Sequence, residues 1–107
     1  MNRNKLIKHV VGQLANAVVH ELLFLGAESE VRKRYAQEVE TSLASAAAYR
    51  EQINPKKRAL PDRAVLLTSI MQRSETELQK RMRDGYKNID LNKIEKTTKK
   101  FLDKLNL

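Results

Sequence analysis

The chain has 107 residues, a net charge of +8 and no cysteine. That length holds one domain with a shallow core, and the missing cysteine excludes disulfides, thiol nucleophiles, cysteine-ligated zinc and iron–sulfur clusters. Three glycines, two prolines and five aromatic residues leave little for turns or a sandwich of strands, so the composition points to long helices.

The first predicted helix spans about residues 3–25. On a helical projection His9, Gly12, Gln13, Asn16 and His20 fall within about 100° of one another. The rest of the circumference is Val10, Val11, Leu14, Ala17, Val18, Val19, Leu22, Leu23, Phe24 and Leu25. A surface helix of a small domain carries one apolar stripe; this helix is apolar around most of its girth and must be covered on several sides. It is therefore the central helix of a bundle or lies at a subunit interface. Val11, Leu14, Val18, Leu22 and Leu25 are the candidate interface residues, and the surplus apolar surface predicts a homodimer or a stable complex with a helical protein partner. Arg3, Lys5 and Lys8 ahead of this run imitate a secretory leader, but Gln13, Asn16, His20 and Glu21 interrupt it. They equally exclude a transmembrane helix, which needs about 20 mostly apolar residues. The expectation is a soluble cytoplasmic protein, with no membrane as partner. Gly26 suits a left-handed residue closing the helix.

The second helix is predicted over about 30–53, with Ser29 as N-cap. Its stripe is Val31, Tyr35, Val39, Ser42, Ala46, Tyr49 and Ile53, and the small residues of Ser42–Ala48 admit a close neighbour. Asn54-Pro55 ends it. The stretch 54–60 is a basic linker. The third helix is predicted over about 61–84, with Pro61 in its first turn and a nearly heptad stripe of Ala64, Leu67, Met71, Ser74, Leu78 and Met82, widened early by Leu66 and Ile70. Ser74 weakens that seam, and Gly85 suits the closing position. The fourth helix is predicted over about 91–105, capped by Asp90, with Leu91, Ile94, Thr98, Phe101, Leu102 and Leu105 inward and Ile89 stapling onto Ile94. The expected fold is one all-α domain over residues 1–107: an up-and-down bundle of three long helices plus a shorter C-terminal helix.

No catalytic motif stands out. His9 and His20 lie about 16 Å apart along one helix, too far to share a metal ion. Glu38 and Glu40, like Glu75 and Glu77, are two apart and do not share a helix face. No glycine-rich phosphate loop, GxSxG or HExxH occurs. No enzyme activity, metal or cofactor is expected. The stripe His9, Gln13, Asn16 and His20 either faces water or forms a polar layer inside the bundle.

The basic residues carry the functional signal. Residues 54–60 and 87–107 each hold a net charge of +3, whereas 28–53 holds −1. Lys93, Lys96, Lys100 and Lys104 recur at helical spacing opposite the apolar stripe of the fourth helix. Lys56, Lys57 and Arg58 stand in the linker, and Arg73, Lys80 and Arg83 on the third helix. Such charges meet phosphates without reading sequence, which makes these ten residues candidates for binding the backbone of DNA or RNA. No RNP-type aromatics, zinc finger or short helix–turn–helix is visible. The alternative is a structural or adaptor protein that pairs with a helical partner, its charge serving solubility.

Overall fold

The computed structural model describes residues 2–53 and 60–107. Among them are four α-helices and no strand: α1 (Arg3–Gly26), α2 (Ser29–Glu51), α3 (Arg63–Arg83) and α4 (Ile94–Lys104), the last entered through a 3-10 turn, Leu91–Lys93. The bundle of three long helices and a shorter fourth is thus the fold expected from the pattern. Most of the basic linker, including Lys56, Lys57 and Arg58, lies outside the described residues. None of the described helices is long and apolar enough to cross a membrane.

Helix α1 organises the rest. Asn2 caps it, its side-chain oxygen accepting from the Lys5 amide at 2.9 Å. The helix packs against α2, α3 and α4, whereas α2 packs almost wholly on α1, and α3 and α4 also pack on each other. A 24-residue helix is about 36 Å long, which sets the long axis of the 45 × 23 × 21 Å molecule. Leu14, Ala17 and Val18 are completely buried, and so are Ile70 and Leu78 of α3 and Leu102 of α4. Burying each of the large side chains stabilises the fold by about 1.5–3 kcal/mol.

The structure revises the expectation for the first helix's apolar surface. Val11, Leu14, Val18 and Leu22 are all buried by the chain's own helices; of the candidate interface residues only Leu25 is exposed. The surplus that argued for a subunit interface is covered by α3 and α4 on one side and α2 on the other, so the area argument for a homodimer or helical partner no longer holds.

Smaller corrections have local causes. Ser29 is the first residue of α2 rather than its cap; Glu28 precedes it without a side-chain capping bond. Pro61 stands before the first residue of α3, with Asp62 at the cap position. The buried line of α3 is Leu66, Ile70, Ser74 and Leu78, while Ala64 and Met82 are exposed and Leu67 and Met71 half-buried. A heptad seam serves one neighbour, but α3 has two, and its covered face points between α1 and α4. Ser74 does not weaken this contact: its buried hydroxyl donates to the Ile70 carbonyl at 2.7 Å and lies 3.5 Å from that of Ala15. A small, satisfied side chain there lets α3 approach α1 closely.

The chain turns where glycine and asparagine allow it. Gly85 has φ +99°; Tyr86 N donates to Arg81 O and Gly85 N to Met82 O, the paired bonds of a Schellman closure. Asn106, at φ 57°, repeats this after α4, with Leu107 N donating to Leu102 O and Asn106 N to Asp103 O. Gly26 differs from the expectation. It is the last helical residue of α1 and not left-handed; glycine is needed because the loop between α3 and α4 crosses it, and a Cβ would overlap the Asn88 carbonyl.

The two α1 glycines should respond oppositely to alanine. At Gly12 a Cβ would stand 3.4 Å from the flexible tip of Arg73, ordinary contact, so Gly12→Ala gains about 0.5–1 kcal/mol of helix propensity. Gly26→Ala forces backbone apart and loses about 1–3 kcal/mol. Thermal unfolding followed by circular dichroism checks this: the melting temperature rises for the first and falls for the second.

Candidate anion-binding groove

Helix α4 positions the basic residues. Asp90 opens it, its carboxylate accepting from the Asn92 amide at 3.0 Å. Ile94, Thr98, Phe101 and Leu102 are buried, which docks this face on α1 and α3. At the far end the Arg63 guanidinium pairs with Asp103 at 2.8 Å, lies 3.4 Å from the Lys99 carbonyl and donates to the Leu107 carbonyl. A cation at a helix C-terminus is favourable. With both ends held, Lys93, Lys96 and Lys100 stand over the last turns of α1.

Together with Glu21, Leu25 and Thr97 these three lysines line a groove of about 450 Å³. Lys100 Nζ donates to Glu21 Oε2 at 3.2 Å, and the Glu21 side chain is only 19% exposed. Lys93 and Lys96 have no ion pair among the described residues. Leu25 is 46% exposed, high for a large aliphatic side chain. Thr97 is buried, yet its hydroxyl makes no hydrogen bond within the described residues, whereas the neighbouring Thr98 donates to the Ile94 carbonyl at 2.7 Å. The Thr97 oxygen is also not among the fully enclosed unpaired polar atoms, so solvent reaches it. The groove thus offers two free ammonium groups, a third held by a carboxylate, an apolar wall and an unused hydroxyl.

The other candidate residues do not line it. Arg73 lies on the opposite flank of α1, in a recess of about 180 Å³ with Gly12, Ala15, Asn16, Val19 and Glu77. Lys80 and Arg83 are exposed near the end of α3, and Lys104 is exposed at the end of α4. Lys99 faces Glu95 at 4.0 Å. Of the ten residues singled out by charge, Lys93, Lys96 and Lys100 are the ones this groove brings together. Sequence reasoning passed over Glu21 and Thr97. The available signal was a carboxylate on the most apolar helix, since such a group needs a partner where it is shielded.

The polar stripe of α1 is an open face and not an internal layer. His9 and Asn16 are exposed, and Gln13 and His20 half-buried. The His9 ring stacks on Tyr49 of α2, centroids 4.6 Å apart and planes 13° from parallel. His20 Nδ1 donates to the Asn16 carbonyl at 2.8 Å, with Tyr35 tilted against its ring at 6.2 Å. No group of three or more histidine or acidic side chains suited to a metal ion occurs among the described residues.

No protein-family model matches the chain, and no curated protein or solved structure is significantly similar to it.

Glu21 tempers the charge of the groove. In Glu21→Gln the sole carboxylate is gone and Lys100 is freed, so retention on a heparin column should extend to higher salt. The pair is partly solvated and contributes about 0–1 kcal/mol, so the melting temperature should barely move. Unchanged retention would place polyanion contacts elsewhere.

Proposed function

We propose that the chain is a non-enzymatic, small helical binding protein that holds nucleic acid by its phosphate backbone in the groove between α1 and α4. The observation that carries this reading is the convergence of Lys93, Lys96 and Lys100 on one recess whose only carboxylate, Glu21, is already paired. The chain's net charge of +8 favours approach of a polyanion from a distance. Lysine ammonium groups suit phosphate as point charges and carry no base code, so binding is expected to be insensitive to sequence. Nothing in the groove resembles an acid–base or nucleophile pair: its carboxylate is tied to a lysine and no imidazole lines it.

The adaptor reading draws on a different observation. Leu25, Val31, Val65, Met82 and Tyr86 are large apolar side chains that are 40–56% exposed. They are spread over α1, α2, α3 and the loop after α3, and scattered exposed apolar residues are ordinary on monomeric proteins. The lysine groove therefore ranks first.

The test is fluorescence anisotropy with generic DNA and RNA across a salt series. Binding should weaken steadily as salt rises. Lys93→Gln with Lys96→Gln should weaken it on every sequence and flatten the logarithmic salt slope by about two, while Lys80→Gln with Arg83→Gln changes it less. No binding at low salt removes this function; a slope untouched by the first pair moves it off this surface.

A further inference from the structure

Resting on that reading, we infer that the groove takes one unpaired nucleotide with its base inside, so the protein selects single-stranded over duplex nucleic acid. Phosphate alone calls for nothing beyond cations on a surface, and a flat or convex face would serve. Here the cations rim a recess of about 450 Å³ that also contains Leu25 and Thr97. Neither helps to hold a phosphate backbone that remains outside.

These two residues give the recess a chemistry beyond charge: an exposed aliphatic wall and a hydroxyl with no partner among the described residues. Thr97 is 7% exposed, and its oxygen is not fully enclosed, so an incoming group can reach it. A helical threonine can bond the carbonyl one turn back, as Thr98 does with Ile94, but Thr97 leaves its hydroxyl unpaired among the described residues. Leu25 belongs to a helix whose other candidate interface leucines and valines are at most 8% exposed, and is itself 46% exposed. A base has the matching properties: apolar faces to lie against Leu25 and the aliphatic stems of the lysines, and a polar edge to meet the Thr97 hydroxyl. Its own phosphate then reaches Lys93 and Lys96, which are free of ion pairs, while Lys100 stays with Glu21.

A duplex cannot fill this recess. Its bases are stacked and paired inside the rod, so it touches the rim lysines and leaves Leu25 and Thr97 wet. Extruding a base would lose its stacking and pairing. Single strands display unstacked bases at no such penalty, and their recognition generally combines backbone charge with packing of base faces. The groove has an aliphatic rather than an aromatic wall, so the expected preference is modest and tolerant of base identity.

The experiment compares four probes on the intact protein at one moderate salt concentration: a single-stranded oligonucleotide, its duplex, an abasic strand of equal length and polyglutamate as competitor. The single strand should bind about tenfold tighter than either the duplex or the abasic strand, the scale of one base contact. Thr97→Val, which keeps the side-chain shape, should narrow that single-strand preference severalfold. If the abasic strand binds as tightly as the base-bearing one, the inference falls, while phosphate binding in the groove stands. If no nucleic acid binds at any salt, the function itself falls. If polyglutamate displaces the strand as effectively per charge as nucleic acid does, and Thr97→Val changes nothing, the occupant is an acidic protein segment and the inference is overturned.

Discussion

One constraint orders this molecule: α1 is apolar on three sides and has to be covered on all three. Helix α2 covers one side, and the α3–α4 pair covers the others. The remaining side is the only one polar enough to face water, and the stripe His9, Gln13, Asn16 and His20 lies there. Close approach is made possible by small residues on the partners: Ser42 and Ala46 on α2 and Ser74 on α3, all at most 3% exposed. Since every other helix leans on α1, the energy of the fold is concentrated in one element. A polar substitution at Leu14 or Val18 would uncouple both halves of the bundle at once, leaving buried polar atoms unpaired.

The two halves differ in how they are held. Helix α2 is long and has three buried side chains, Val39, Ser42 and Ala46, so its contact with α1 is a narrow seam, widened by the half-buried Tyr35, Leu43 and Tyr49. Helix α4 has 11 residues and would be marginal alone, yet five of them are buried and both its ends are tied. At one end the loop through Asn88 lies across Gly26; at the other, Arg63 reaches Lys99, Asp103 and Leu107. These ties hold the lysines in place. The groove is a product of tertiary packing between α1 and α4, and unfastening either end of α4 would dissolve it without touching a lysine.

That origin explains what could be read in advance. Helix existence follows from period and from breakers, which are local, so four helices, the closing role of Gly85 and the capping role of Asp90 were all legible. Helix facing is less local. The heptad pattern of α3 suggested one seam, but two neighbours turned the helix toward Leu66 and Ile70. Gly26 looked like a left-handed closer because that is what glycine usually does after a helix; its true reason is a carbonyl 62 residues away in sequence. Likewise the total charge and the stripe of α4 were visible, whereas the Lys100–Glu21 pair joins residues 79 apart. Which lysines share a surface depends on how helices cross, and one-dimensional spacing does not contain that. The linker cations Lys56, Lys57 and Arg58, prominent in the composition, fall outside the described residues.

The Lys100–Glu21 pair also bears on how selective such a groove can be. A recess lined by three uncompensated ammonium groups would hold any polyanion, because charge attraction acts at long range and is blind to shape. Neutralising one of them lowers that indiscriminate attraction and raises the relative weight of short-range contacts. On the proposed reading those contacts would come from Leu25 and Thr97, which line the recess. Glu21 is placed to do this at little expense: it sits on the edge of the apolar surface of α1, shielded enough to keep Lys100 beside it and wet enough to avoid a large desolvation penalty. On the proposed reading, selectivity in this groove would thus depend on holding one of its lysines back.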